Sequence, residues 1–122
     1  GIFASALLVE LVCKTGKKLS ELLREIYDTY GMCEMHETDY KFSAEKKEEL
    51  MKLLFEEKKI PQYDLEIAEI SYRDGLKIYF KNGGWVVIRF SGTEPLLRIF
   101  CEMPTRGEAV TVCDAVKAYF EI

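Results

Sequence analysis

An α+β fold is what these 122 residues predict: an antiparallel four-stranded sheet packed with two helices, preceded by a helical hairpin. Three observations carry that expectation. Short apolar runs of strand length follow one another from residue 67 to 102, and the glycine-bearing turns Arg73-Asp74-Gly75 and Lys81-Asn82-Gly83-Gly84 divide them. A charged segment of helical period precedes these runs, and an amphipathic one follows them. The first 31 residues hold two helix patterns and no strand pattern.

In chain order, residues 2–14 read as a helix that is apolar nearly all round, a pattern that several neighbours must bury. With that face open and Gly1 in place of an initiator methionine, the chain is expected to continue upstream. Gly16 is the stop of this helix. Leu19, Leu22, Leu23, Ile26, Tyr27 and Tyr30 fall on one stripe of a second helix, which Gly31 terminates. Residues 1–31 are therefore expected to close a preceding domain, and 32–122 to form the next. Gly31 and its neighbours read equally as a hinge or a rigid linker. Residues 32–40 are mixed in character, a linker and edge strand.

Ser43 caps a charged helix, 44 to about 58, whose apolar positions are Leu50, Met51, Leu54 and Phe55; its charges read as a solvated face. Pro61 closes that unit. Strands are expected at 67–72, 76–80, 85–90 and 96–102. Thr105 with Glu108 makes a capping box for a last helix, whose inner face is Ala109, Val112, Cys113, Val116 and Phe120.

Composition narrows the function. Hydrophobic residues make up 48% of the chain, enough for one modest core and too many for disorder. The net charge of −4 and the lack of a broad basic face argue against nucleic-acid binding. The apolar start is too short to span a bilayer and lacks the basic opening of a signal peptide. Cys13, Cys33, Cys101 and Cys113 form no CxxC pair and read as reduced core residues, which points to the cytoplasm. His36 is the single histidine, and on a strand it would face away from Cys33. No metal or catalytic dyad follows from that pair.

One segment carries chemistry: Arg89-Phe90-Ser91-Gly92-Thr93-Glu94-Pro95, joining two strand runs. A guanidinium fork, two hydroxyls and a glycine that lets backbone N–H groups turn inward as a nest suit a phosphate dianion. Arg98 stands ready as a second positive charge. From the residues alone, an anion-binding loop and a mere polar turn both stay open. Glu94 either faces Arg89 or Arg98 and fixes a guanidinium, as structural support, or acts as a general base. Trp85 is either sheet packing or a platform for a sugar.

Arg-x-Ser-Gly-Thr-Glu-Pro followed by Leu-Leu-Arg-Ile-Phe-x-Glu resembles the C-terminal signature of the α-D-phosphohexomutases, the phosphoglucomutase/phosphomannomutase family. The run at 14–23 is similar to the helical end of that family's third domain, and the turn, strand and Trp-Val-Val-Ile-Arg pattern match as well. The resemblance implies an enzyme of four domains. The first carries a phosphorylated serine, the second an Mg²⁺ site, the third a sugar-selecting loop, and the fourth the phosphate loop. It implies that Arg89, Ser91, Gly92 and Thr93 hold the substrate's non-reacting phosphate, with Arg98 as a basic position after the loop. Phe90 stands where many relatives carry proline.

The activity so implied interconverts hexose 1-phosphate and hexose 6-phosphate, of glucose, mannose or both, through a phosphoserine and a 1,6-bisphosphate. Mg²⁺ and glucose 1,6-bisphosphate are the implied cofactors. The metal ligands and the catalytic serine are expected upstream, so this chain alone should be silent. Its partners would be the hexose phosphate and the upstream domains, with no nucleic acid and no membrane. Two other classes stand beside this one, a stand-alone phosphate-binding module and a purely structural interaction domain. The open apolar first helix counts against both.

Overall fold

Gly16 ends the first helix as its position suggests. With φ at +65° it takes the left-handed conformation, and its N–H reaches back to the Val12 carbonyl at 2.9 Å. The computed structural model describes residues 1–121 and divides them into two units, Gly1–Met32 and the chain from Cys33 onward. The first unit holds α1 (Ile2–Thr15) and α2 (Leu19–Tyr30), and neither helix has a buried residue. The Glu21 carboxylate caps α2 by accepting from the Lys18 N–H at 2.7 Å.

The second unit runs β1 (Glu34–Lys41), α3 (Ala44–Met51), β2 (Ile67–Ser71), β3 (Leu76–Phe80), β4 (Trp85–Phe90), β5 (Leu96–Met103) and α4 (Arg106–Phe120). All pairings are antiparallel, in the spatial order β1-β5-β4-β3-β2. The sheet therefore has five strands, not the expected four. The fifth is β1, which pairs with β5 along its whole length, from Glu34↔Met103 to Lys41↔Leu96. Its charged outward positions, Glu37, Asp39 and Lys41, are what an edge strand uses to discourage further pairing, and they mask the alternation.

Alternation along the strands sends one set of side chains to the helices. Leu76, Ile78, Phe80, Val86, Ile88, Leu97, Ile99, Cys101 and Met103 are buried there against Leu50 and Leu54 below α3 and the apolar face of α4. That α4 face is the expected one, and all five of its residues are buried. α3 gives way to a π-helical turn over Lys52–Glu56, in which the Glu57 N–H bonds to the Lys52 carbonyl at 3.0 Å. Lys58, at φ +52°, ends it.

Two cysteine assignments are corrected. Cys101 and Cys113 lie in the core, whereas Cys13 on α1 and Cys33 just before β1 are exposed. Trp85 lies on the sheet face away from the helices. Its indole N–H donates to Glu102 Oε1 across the strands at 3.1 Å, and Lys77 Nζ sits 4.2 Å from its ring. That is sheet packing. Among the described residues, no helix is long and apolar enough to cross a membrane.

Candidate anion-binding loop

β4 and β5 bring the two arginines together. Arg89 and Arg98 are directly opposite one another in the antiparallel register, with both side chains about half exposed on the face away from α3 and α4. Like charges so placed repel each other, and the sheet offsets the repulsion with carboxylates at either end. Arg89 Nη1 lies 3.3 Å from Asp74 Oδ2. Arg98 Nε lies 3.9 Å from Asp39 Oδ2, the residue facing it on β1. The row Asp74–Arg89–Arg98–Asp39 thus crosses the sheet with each arginine paired to the carboxylate on its outer side.

The loop between these strands is closed by backbone. The Ser91 N–H donates to the Leu96 carbonyl at 2.8 Å, and the Leu96 N–H donates to the Glu94 carbonyl at 2.8 Å. The Pro95 carbonyl accepts from the Phe42 N–H at 3.1 Å, tying the loop to the end of β1. Ser91 Oγ stands 3.5 Å from Thr93 Oγ1 and accepts a long bond from the Glu94 N–H at 3.4 Å. Among the described residues, the N–H groups of Gly92 and Thr93 find no protein acceptor. Exposed amides, two neighbouring hydroxyls and a pair of guanidiniums form a donor-rich rim suited to a multiply charged oxyanion.

Each sequence-predicted residue has a definite place. Arg89, Ser91, Gly92, Thr93 and Arg98 lie within one strand–loop–strand unit. Gly92 does not take the left-handed conformation that an αR–αL nest requires, nor does any other residue of the loop. A Cβ at Gly92 would meet nothing within 4 Å. Glu94 contributes through its backbone, and among the described residues its carboxylate pairs with neither arginine. The carboxylates at those guanidiniums belong to Asp74 and Asp39, which sequence reasoning passed over.

Phe90 points to the helix side, as its step from Arg89 requires. Its ring packs edge-on against Phe42 and Phe55, at 6.1 and 6.2 Å between centroids. The residue after Arg89 thus anchors the loop's first strand in the core. A depression of about 310 Å³ beside the loop is lined by Lys41, Phe42, Glu94, Pro95 and Leu96. A larger groove of about 480 Å³, between residues 62–65 and α4, includes none of the loop.

A family model described as "Phosphoglucomutase/phosphomannomutase, C-terminal domain" matches residues 43–118. A phosphoglucomutase/phosphomannomutase of Thermococcus kodakarensis is 39% identical over 114 residues, which is 89% of this chain and 22% of the relative. A probable phosphoglucosamine mutase of Methanothermobacter thermautotrophicus is 31% identical over 121 residues, 99% of this chain and 25% of the relative. A phosphopentomutase of Thermococcus kodakarensis is 34% identical over 99 residues, 81% of this chain and 21% of the relative. The chain thus spans a quarter or less of the length of these curated relatives.

Proposed function

Since the chain belongs to the phosphoglucomutase/phosphomannomutase family, whose C-terminal domain it carries, we propose that its 89–95 loop clamps the non-reacting phosphate of a phosphosugar. One observation carries this reading: Arg89 and Arg98 stand directly opposite each other at the base of a loop in which, among the described residues, two amides lack a protein acceptor. A pair of like charges in register is unfavourable by itself, and a bound dianion turns that repulsion into attraction. The names of the relatives range over glucose, mannose, glucosamine and pentose phosphates. A loop that reads the phosphate and leaves the sugar to other parts fits such a range.

In the whole protein we place this clamp in the reversible exchange of hexose 1-phosphate and hexose 6-phosphate, with glucose or mannose as the sugar. A phosphoserine outside this chain donates its phosphoryl group to give a 1,6-bisphosphate. The sugar then turns end for end and returns the other phosphate to the serine. The clamp must accept a phosphate from either end of the sugar, so rim contacts limited to phosphate oxygens suit it. Glucose 1,6-bisphosphate is the proposed activator. Held far from the reacting centre, the clamped phosphate supplies binding energy that orients the other end of the substrate. We place the ligands of the Mg²⁺ implied by the resemblance outside this chain, with the phosphoserine. Residues 1–31 are assigned in this proposal to the helical end of a preceding domain.

The test is Arg89→Ala in the full-length protein, assayed with glucose 1-phosphate. Loss of a charge-assisted phosphate contact should lower kcat/KM by about 30- to 1,000-fold, and Arg89→Lys should recover only part of it. A folded Arg89→Ala protein with unchanged kcat/KM would refute the clamp.

A further inference from the structure

The ammonium of Lys47 reaches the candidate loop from 44 positions away. It donates to the Ser91 carbonyl at 2.6 Å in a part-buried setting, and to the Glu94 carbonyl at 3.4 Å where the contact is exposed. We propose that Lys47 is a positioning residue for anion binding: by gathering these two carbonyls it holds the loop's free amide turned outward. The inference rests on the phosphate-clamp reading, and it adds to that reading the group that shapes the clamp.

Peptide planarity links the two halves of the claim. In a trans peptide the C=O and the following N–H point in opposite directions, so a carbonyl fixed in place fixes the next amide. The Ser91 carbonyl shares its peptide plane with the Gly92 N–H. Holding that carbonyl on Lys47 therefore turns the Gly92 N–H away from α3. Lys47 rises from the helix layer, since α3 packs the sheet through Leu50, so the amide is directed away from that layer. Arg89 and Arg98 stand on the face away from α3 and α4.

Several features make Lys47 suited to this. Gly92 brings no positive φ and no steric demand of its own, so nothing in that residue fixes the direction of its amide. Pro95 follows Glu94 and has no N–H, which leaves the second carbonyl without an amide to misdirect. The bond at 2.6 Å is short and charge-assisted, stronger than a neutral contact would be. Ser43 caps α3 by accepting from the Lys46 N–H at 3.2 Å, so the base of the lysine is set on a fixed helical turn. A flexible ammonium can serve both carbonyls at once, and at Glu94 it adds to the bond from the Leu96 N–H.

The test compares the chain with Lys47→Met and Lys47→Arg variants, reading amide hydrogen exchange without ligand and then affinity for inorganic phosphate by amide shifts. In Lys47→Met the Ser91 and Leu96 amides should exchange about tenfold faster while amides of the β3–β4 core keep their rates. Phosphate affinity should fall by about tenfold, and Lys47→Arg should keep most of both. Unchanged exchange in Lys47→Met would overturn the proposal, as would faster exchange with unchanged phosphate affinity. If the unaltered chain gives no shift at Gly92 or Thr93 with phosphate, the clamp reading itself fails and the positioning role falls with it. A slower loop exchange in the unaltered chain would then mark Lys47 as a brace without an anion to serve.

Discussion

At the scale of single residues, unfavourable placements separate the candidate site from the core. Arg89 and Arg98 face each other on exposed sheet, where an anion can relieve them. Tyr63 is the opposite case. Its ring packs at 5.2 Å from Phe80, its hydroxyl is buried with no partner among the described residues, and burial pushes its pKa up. A raised pKa means that the folded state holds the phenolic proton more tightly than the unfolded one. The stability tied to that proton is full below the unfolded pKa and declines as pH climbs toward the folded value. Of the seven tyrosines, Tyr63 should therefore resist ionisation until the unit unfolds. We expect Tyr63→Phe to stabilise by about 1 kcal/mol, because it removes a desolvated hydroxyl and keeps the ring. A urea midpoint that moves down in this variant would show that the hydroxyl has a partner.

At the scale of elements, the turn between β2 and β3 shows how a conformation places a charge. Gly75 has φ +84°, and a Cβ there would lie 2.6 Å from the Ile88 carbonyl and 3.4 Å from Arg89 Cα. Only a residue without a side chain lets the turn rest on β4 at that point, and the same contact brings Asp74 to Arg89. Gly75→Ala should cost about 1–3 kcal/mol in chemical unfolding, from strain and forced separation together. An unfolding free energy equal to that of the unaltered chain would mean the turn can be rebuilt elsewhere.

This turn also marks the limit of what sequence reading reaches. Arg73-Asp74-Gly75 is legible as a turn, and β3 and β4 match their expected residues, because alternation and turn chemistry are local. The partners of the turn are not local. Asp74 and Asp39 meet the arginines only once the register across β1, β5 and β4 is known. Lys47 lies on a helix so rich in charge that nothing local distinguishes it from its solvated neighbours. The segment 32–40 reads as a linker and edge strand but stays outside the four-strand count, since at a sheet edge the inward side chains of His36, Thr38 and Tyr40 need be only half apolar.

At the scale of the whole molecule, the burial is uneven along the chain. Among the described residues the first buried position is Leu50, and α1 and α2 contribute none. Helices of 14 and 12 residues that bury nothing have little to hold them, because isolated helices of this length are marginal in water. The unit from Cys33 onward has a continuous core of sheet, α3 and α4 side chains, which is what cooperative unfolding requires. Far-ultraviolet circular dichroism on heating should therefore report two events in this chain: a broad, early loss of helix and a sharp later transition. Deleting residues 1–32 should remove the first event and shift the second by no more than about 0.5 kcal/mol, in the range of changes that touch no packed group. The deletion leaves every element of the candidate loop in place, so phosphate should still move the Gly92 and Thr93 amides. Loss of the sharp transition on deletion would show that the first helices complete the core; the assignment of 1–31 to a separate domain would then have to be abandoned.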